Sequence, residues 1–500
     1  MSKRKLSNVA LLLLTSVLSF AIDCLAQATG QSSGRSSQQQ QGTLGSAAAA
    51  AQVPPPPQAG DPSYRGSVPQ GTASPTPIPL SMGDAINRGL KANLGLLTSQ
   101  ESSVEVRSQR YRALSALLPN VTGQVGQTVQ QINLQTLGIS FSSPSFTIPN
   151  IVGPFSYQSA MANVTVPVFN YSSISGLRAV RANEQASALS VKNARDLVVQ
   201  AVGNAYLQII ADAARITATQ AEIEADTAVY TNATRRHDAG TAIGIDVLRS
   251  QVELKQRQQQ LVAENNQLEK DELTLGRVIG LPIGQQFTVT DPSPSVPLAA
   301  ISLQDALAKA YANRPDLQAA KARVAGAEFS LRAVRAERYP TLQAQGFYGD
   351  EGRHLFTNSH GVFTVAGSVE FNIFDGGRIK ADVLQYDAEL RNRRNELENL
   401  RGQVDYEVRS ALLDLKSAGD QVEVARSNIE LADETLKQSR DRFTAGVTNT
   451  VEVVQAQQTV AEANENLISA QYAYNLAKVA LARSLGLAEQ GLKAYFNQQP

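Results

Sequence analysis

Residues 443–460 read FTAGVTNTVEVVQAQQTV, and residues 237–254 read HDAGTAIGIDVLRSQVEL. The two stretches lie 206 positions apart (443 against 237) and align without a gap. Gly446 stands over Gly240, Glu452 over Asp246, Val453 over Val247 and Val460 over Leu254. A glycine accepts the positive φ at which many helices stop. A carboxylate two turns on suits the positive end of a new helix. One chain therefore carries the same helical hairpin turn twice, and the reading of everything else follows from that duplication.

The match continues on both sides of the turns. LSMGDAI (80–86) corresponds to ISLQDAL (301–307), Pro119 to Pro340, VFN (168–170) to IFD (373–375), and LGRVIGL (275–281) to LARSLGL (481–487). The first repeat spans 80–281 and the second 301–487. Residues 282–300, with PSPSVP at 292–297, join them, and 488–500 form a C-terminal tail. Val408, Leu415, Val422, Ile429 and Leu436 recur every seven residues, with a companion row at Val404, Ala411, Ala418, Ala425 and Ala432. Their first-repeat counterparts are Val202, Ile209, Ile216, Ile223 and Tyr230. The returning helices show the same period, Leu254, Leu261, Leu268 and Leu275 against Val460, Leu467, Tyr474 and Leu481. A sustained seven-residue repeat means helices packed as a supercoil. A helix over 375–441 would be about 100 Å long at 1.5 Å per residue, and its polar positions exclude a lipid setting.

Between the helices of each repeat the period falls to two. Phe363, Val365, Val369, Phe371 and Ile373 alternate with Thr364, Ser368, Glu370 and Asn372. Thr341, Gln343 and Gln345 alternate with Leu342, Ala344 and Gly346. In the first repeat Val121, Val125 and Val129 alternate with Thr122, Gln124, Thr128 and Gln130, and Val164, Val166 and Val168 follow. Strands are expected at about 120–134, 157–169, 341–349 and 361–374. Apolar outside and polar inside suits a water-filled membrane barrel, although a soluble hairpin with one wet face has the same pattern. Four strands cannot close a barrel, which takes about eight or more, so identical copies must pool theirs. The expected fold is mainly α with membrane β, a duplicated helix–strand–strand–helix plan.

The remaining sequence sets the compartment. Lys3, Arg4 and Lys5 precede an apolar run from Val9 to Phe20 and the small residues Ala26-Gln27-Ala28, a secretory signal over 1–28. The only cysteine, Cys24, lies beside that cleavage site, and Asp23 before it departs from a lipoprotein signal. Residues 29–79 are rich in Ser, Gln, Ala and Pro and are expected to be disordered. Beyond the signal no run reaches the ~18 apolar residues of a spanning helix, so membrane passage would have to use strands. With 45 basic and 45 acidic residues and no basic block, no nucleic-acid surface is expected. No phosphate loop, zinc spacing or nucleophile elbow is present, and His237, His354 and His360 are scattered. No enzyme, cofactor or metal site is expected.

The duplicated plan, the IFDGGR stretch at 373–378 and the turn motif R-F-x-x-G…E-V-V at 442–454, repeated as R-H-x-x-G…D-V-L at 236–248, resemble the TolC family of outer-membrane channel proteins. The resemblance spans about 80–487. It departs at VFNYSS (168–173), where glycines are usual, at the Ser/Pro-rich 142–154, and in the long N-terminal tail. It implies a homotrimer: a twelve-strand barrel in outer-membrane lipid above a helical periplasmic tunnel. It also implies a passive exit duct for efflux or type I secretion, working with a periplasmic adaptor (a membrane fusion protein) and an inner-membrane transporter. Arg236, Ala239, Gly240, Arg442, Ala445 and Gly446 would then form the adaptor-docking tips, and Glu452 and Asp246 the periplasmic constriction. A periplasmic coiled-coil scaffold or adaptor without a pore is the alternative, and it has no use for lipid-facing strands.

Overall fold

The computed structural model describes residues 62–134, 142–143, 146–147, 149–241, 243–291, 301–355, 357–445, 447–448 and 450–491. The signal, the tail up to 61, residues 292–300 of the linker, the chain from 492 onward and Gly446 lie outside the described residues. The first repeat comprises β1 (Ile78–Leu80), α1 (Met82–Ala92), α2 (Leu94–Ser115), β2 (Asn120–Asn133), a minor pair β3 (Ser142–Ser143) and β4 (Phe146–Thr147), β5 (Ile151–Phe169), α3 (Tyr171–Asp238) and α4 (Gly244–Ile279). After β6 (Phe287–Val289) the second repeat follows: α5 (Leu303–Asn313), α6 (Pro315–Ala336), β7 (Thr341–His354), β8 (Asn358–Glu370), α7 (Arg378–Thr444) and α8 (Thr450–Ser484).

The repeats begin with the same local chemistry. The Ser81 hydroxyl accepts from the Asp84 backbone N–H at 3.1 Å and donates to its carboxylate at 2.7 Å. Ser302 makes both bonds with Asp305 at 3.1 and 2.7 Å. Each pair caps its helix by satisfying N–H groups that have no partner in the first turn. The long helices α3 and α7 have 68 and 67 residues, about 100 Å each at 1.5 Å per residue.

Strands β2, β5, β7 and β8 form one antiparallel sheet in that order. They are longer at the far end than the alternation predicts: β5 starts at Ile151, β7 runs to His354 and β8 starts at Asn358. Ladder pairing carries glycines and charges there, such as Gly352 opposite Ser359 and Glu351 opposite His360, that show no alternation in sequence. Toward the helices β8 stops at Glu370 rather than 374. The Asp375 carboxylate then accepts from the Gly377 and Ile379 N–H groups at 3.0 and 2.9 Å, and Gly377 takes a φ of 89°. In the first repeat Asn170 alone does this work, accepting from the Ser173 N–H at 3.0 Å. The absence of glycines from VFNYSS is thereby explained: β5 ends at Phe169 and α3 starts at Tyr171, which leaves no turn for glycines to make.

The largest core lies where α1, α3 and α4 meet, and contains Met82, Ile86, Val198, Val202, Leu275 and Ile279. A second, smaller one joins Ala306 and Ala310 to Val404, Val408 and Leu481. Burial of each such side chain stabilises by about 1.5–3 kcal/mol. An 18-residue window of α3 reaches a mean hydropathy of 1.2, which the sequence reading passed over. That window is 56% buried inside the chain, so its apolarity belongs to the core.

One expectation needs correction. Residues 62–79 are not disordered: Tyr64 is buried, its carbonyl accepts from Asn93 Nδ2 at 2.8 Å, and β1 pairs in parallel with β6. A three-residue strand draws its order from the surface it lies on, which local composition does not record. At the start of the C-terminal tail, Ala488 is fully buried and Glu489 pairs with Arg195 at 3.0 Å.

Candidate functional site

Strand register sorts the sheet into two faces. Val121, Val164, Gly346 and Val365 lie in one row across all four strands, and Leu342 and Val369 pair on the same face. The other face pairs Thr122 with Asn163, Thr165 with Gln345 and Gln343 with Ser368. On the apolar face Val125 is 77% exposed and Val365 82%. Beside it, past the end of β8, Ile373 and Phe374 are both 89% exposed. So much apolar surface in water is unfavourable, whereas in lipid it is matched. Both outer strands, β2 and β8, have one edge without a described partner strand, and an unpaired edge is a template for another strand.

The helices repeat this arrangement. Toward the turns α4 packs on α3, α3 on α8, and α8 on α7; toward the sheet α2 packs on α3, α3 on α6, and α6 on α7. The two margins of the wall are thus α2 and α4 on one side and α7 on the other. Their outer faces expose Val104, Tyr111, Leu248 and Val262 on one margin, and Tyr406, Leu413 and Leu431 on the other.

At the turns Arg236, Ala239 and Gly240 close the first hairpin, and Arg442 and Ala445 are the described tip residues of the second. Gly240 has a φ of 71°, its N–H donates to the His237 carbonyl at 2.8 Å, and the Thr241 N–H donates to the Arg236 carbonyl at 2.8 Å. These two bonds satisfy carbonyls that the helix end leaves free. In the second hairpin the Val447 N–H donates to the Arg442 carbonyl at 3.0 Å, and Ala445, like Ala239, is an αR C-cap. Arg236 lies over the Phe443 ring at 4.6 Å, which joins the two tips.

The two acidic residues sit differently. Glu452 accepts from the Thr448 hydroxyl, meets the Ser439 hydroxyl at 3.5 Å and pairs with Arg442 at 3.4 Å, its side chain 34% exposed. Asp246 lies 4.0 Å from Arg249 in its own first turn, outside a tight ion-pair distance. Glu452 is therefore tied across its own turn, and Asp246 is not.

The seams inside the hairpins differ more than the tips. In the second hairpin Ala411, Ala418, Ala425, Ala432 and Ser439 are buried on α7, facing Ala456, Ala463, Ala470, Ala477 and Ser484 on α8. The same row of α3 reads Ala205, Asp212, Thr219, Asp226 and Ala233, and that of α4 reads Ser250, Arg257, Glu264, Asp271 and Val278. Asp212 is 4% exposed and Asp226 8%. Burial and the neighbouring Asp271 push the Asp212 carboxyl up to about 6, and burial raises Asp226, Glu222 and Glu272. Asp196, higher on α3, is pushed up to about 6 by burial and by Glu489. The sequence reading missed this seam, although subtracting 206 from the alanine row would have found it.

Comparison with known proteins adds four findings. Residues 90–281 and 306–487 match the family model described as outer membrane efflux protein. The pyoverdine export outer membrane protein OpmQ of Pseudomonas putida is 24% identical over 326 residues, 62% of this chain and 67% of that protein. The toluene efflux pump outer membrane protein TtgF, from another strain of Pseudomonas putida, is 25% identical over 394 residues, 76% of this chain and 78% of that protein. Among solved structures, the outer membrane protein VceC of Vibrio cholerae superposes with a TM-score of 0.69 at 14% identity, covering 81% of this chain and 96% of that one.

Proposed function

The chain belongs to the outer membrane efflux protein family and is an outer-membrane exit duct, and we propose that three copies build it. The observation that carries this reading is the pair of open margins. Strand directions alternate across four strands, so β8 of one copy can pair antiparallel with β2 of the next, and three copies supply twelve strands. Below the sheet, the exposed apolar residues of α7 meet those of α2 and α4 of the neighbouring copy by the same rotation. The apolar sheet face then contacts lipid, while the Gln, Thr, Asn and Ser face lines a wet lumen.

Partners follow from the shape. A helical wall about 100 Å long spans water beneath the membrane, and its tips are the part within reach of a periplasmic adaptor and an inner-membrane transporter. Arg236, Ala239, Gly240, Arg442, Ala445 and Gly446 are the residues proposed to meet the adaptor. OpmQ and TtgF are named for unlike cargoes, which fits a duct whose selectivity is set by its partners.

Glu452 and Asp246 are proposed to give the mouth its charge. Threefold symmetry turns each into a ring of three, and carboxylates in a narrow, poorly screened passage favour cations. Glu452 closes its own turn and leaves about a third of its side chain toward water. The test is the cation-over-anion permeability of the assembled protein in planar bilayers. Glu452→Gln is expected to lower it and to weaken block by divalent cations applied from the helical side; unchanged selectivity and block would leave Glu452 a turn brace only.

A further inference from the structure

The first hairpin holds a buried carboxyl pair in place of the alanines of the second. Asp212 Oδ1 accepts from Gln208 Nε2 and from Arg215, both at 2.9 Å, while Oδ2 is buried and has no donor among the described residues. Across the seam, Asp271 is the hydrogen-bonding neighbour of Asp212, and its own Oδ2 is occupied by Gln267 Nε2 at 2.9 Å. From α8, Glu465 takes the guanidinium of Arg215 at 3.0 Å, Ser469 lies 3.3 Å from it, and Tyr472 faces both aspartates. The guanidinium that pairs with Asp212 is thus shared with Glu465. Two ionised carboxylates are acceptors only and repel. A single added proton would make the orphaned Oδ2 a donor to Asp271.

We propose that the Asp212–Asp271 pair is a proton-dependent latch across the first hairpin, closed when Asp212 carries a proton that it donates to Asp271 and loosened when Asp212 is ionised. The second hairpin, zipped by alanines at the same rows, has no such dependence. Burial makes the folded carboxyl hold its proton more tightly than an exposed one would. The stabilisation is therefore complete below about pH 4 and is lost as pH rises through about 6. Within the duct reading, on which only the setting rests, an acid medium would hold the first hairpin of each copy closed along its seam and a neutral one would free it.

The test is hydrogen exchange on the assembled protein in detergent at pH 5 and pH 7.5, corrected for intrinsic rates. Protection of α3 around 205–226 and of α4 around 257–275 is expected to fall at least about tenfold on going to pH 7.5, with α7 and α8 unchanged. Asp212→Asn, neutral and able to donate to Asp271, should stay protected at both values, as should Asp271→Asn should the first variant fold poorly. Equal protection of the native first hairpin at both pH values, a parallel loss in α7 and α8, or persistence of the change in the asparagine variants would overturn the proposal. None of these outcomes depends on conductance, so the latch can fail while the duct stands.

Discussion

The two repeats of this chain trace one backbone plan and fill it with different chemistry. At the corner between the short and longer helices, Asn93 and Arg314 occupy corresponding positions, 221 residues apart as Ser81 and Ser302 are, and they are 0% and 2% exposed. Asn93 caps α2, accepting from the Gly95 N–H at 3.0 Å, and holds the N-terminal strap through the Tyr64 carbonyl. Arg314 pairs with Asp316 at 2.6 Å and Glu407 at 2.5 Å, and Glu407 reaches on to Arg483 at 2.8 Å. The seams diverge likewise, carboxylates against alanines. Among the described carboxyls, those held above their usual range lie in the first repeat, raised by burial. Those held below it, Asp316, Asp375 and Glu407, lie in the second beside arginines or backbone donors. Duplication conserves the topology, and the buried polar residues make the copies unequal.

That inequality can be broken at its strongest point first. Arg314→Ala strands Asp316 in a buried corner and takes from Glu407 one of its two arginines, Arg483 remaining, and is expected to cost about 3–5 kcal/mol. Asn93→Ala loses a cap and one buried hydrogen bond, about 1–3 kcal/mol. Thermal unfolding of the two variants should keep that order, and a larger loss at Asn93 would reverse the comparison.

The next experiment moves the chemistry of one seam into the other. Ala418→Asp places a carboxylate where the first hairpin carries Asp212. Buried against alanines, it should lower stability at pH 7.5 by about 2–3 kcal/mol. Its proton affinity is raised by burial, so the loss shrinks as pH falls toward 5. A variant whose stability relative to the parent is the same at both pH values would show that the seam is wetter than described. The smallest expected effect is at the tips: Arg236→Ala removes the contact with Phe443 and should cost about 0.5–1 kcal/mol. Faster proteolysis confined to the first tip would mark it, and no change would mean that the tips are independent.

What could be read from sequence, and what could not, divides along the same physical line. The turn at Gly240, the heptad rows and the alternation at Val121, Val125 and Val129 recur at fixed spacing, and periodicity reports directly on which face is buried. The order of residues 62–79 was not legible, because Tyr64 and β1 are held by surfaces formed more than 20 residues away, at Asn93 and β6. The Arg314 network joins residues from α6, α7 and α8 that no local spacing connects. Asp212 and Asp226 stood in plain register with the alanine row, but charged residues on a long helix were read as a wet face. Burial at those positions depends on α4 and α8 together.

One chain, on this reading, supplies a third of a wall, and two more copies close its open margins. The mass of the intact assembly, extracted from the outer membrane in mild detergent and measured by native mass spectrometry, decides whether that holds. A single species of three mature chains, held together until heated, is expected. A stable species of one or two chains, with no trimer at any protein concentration, would contradict it.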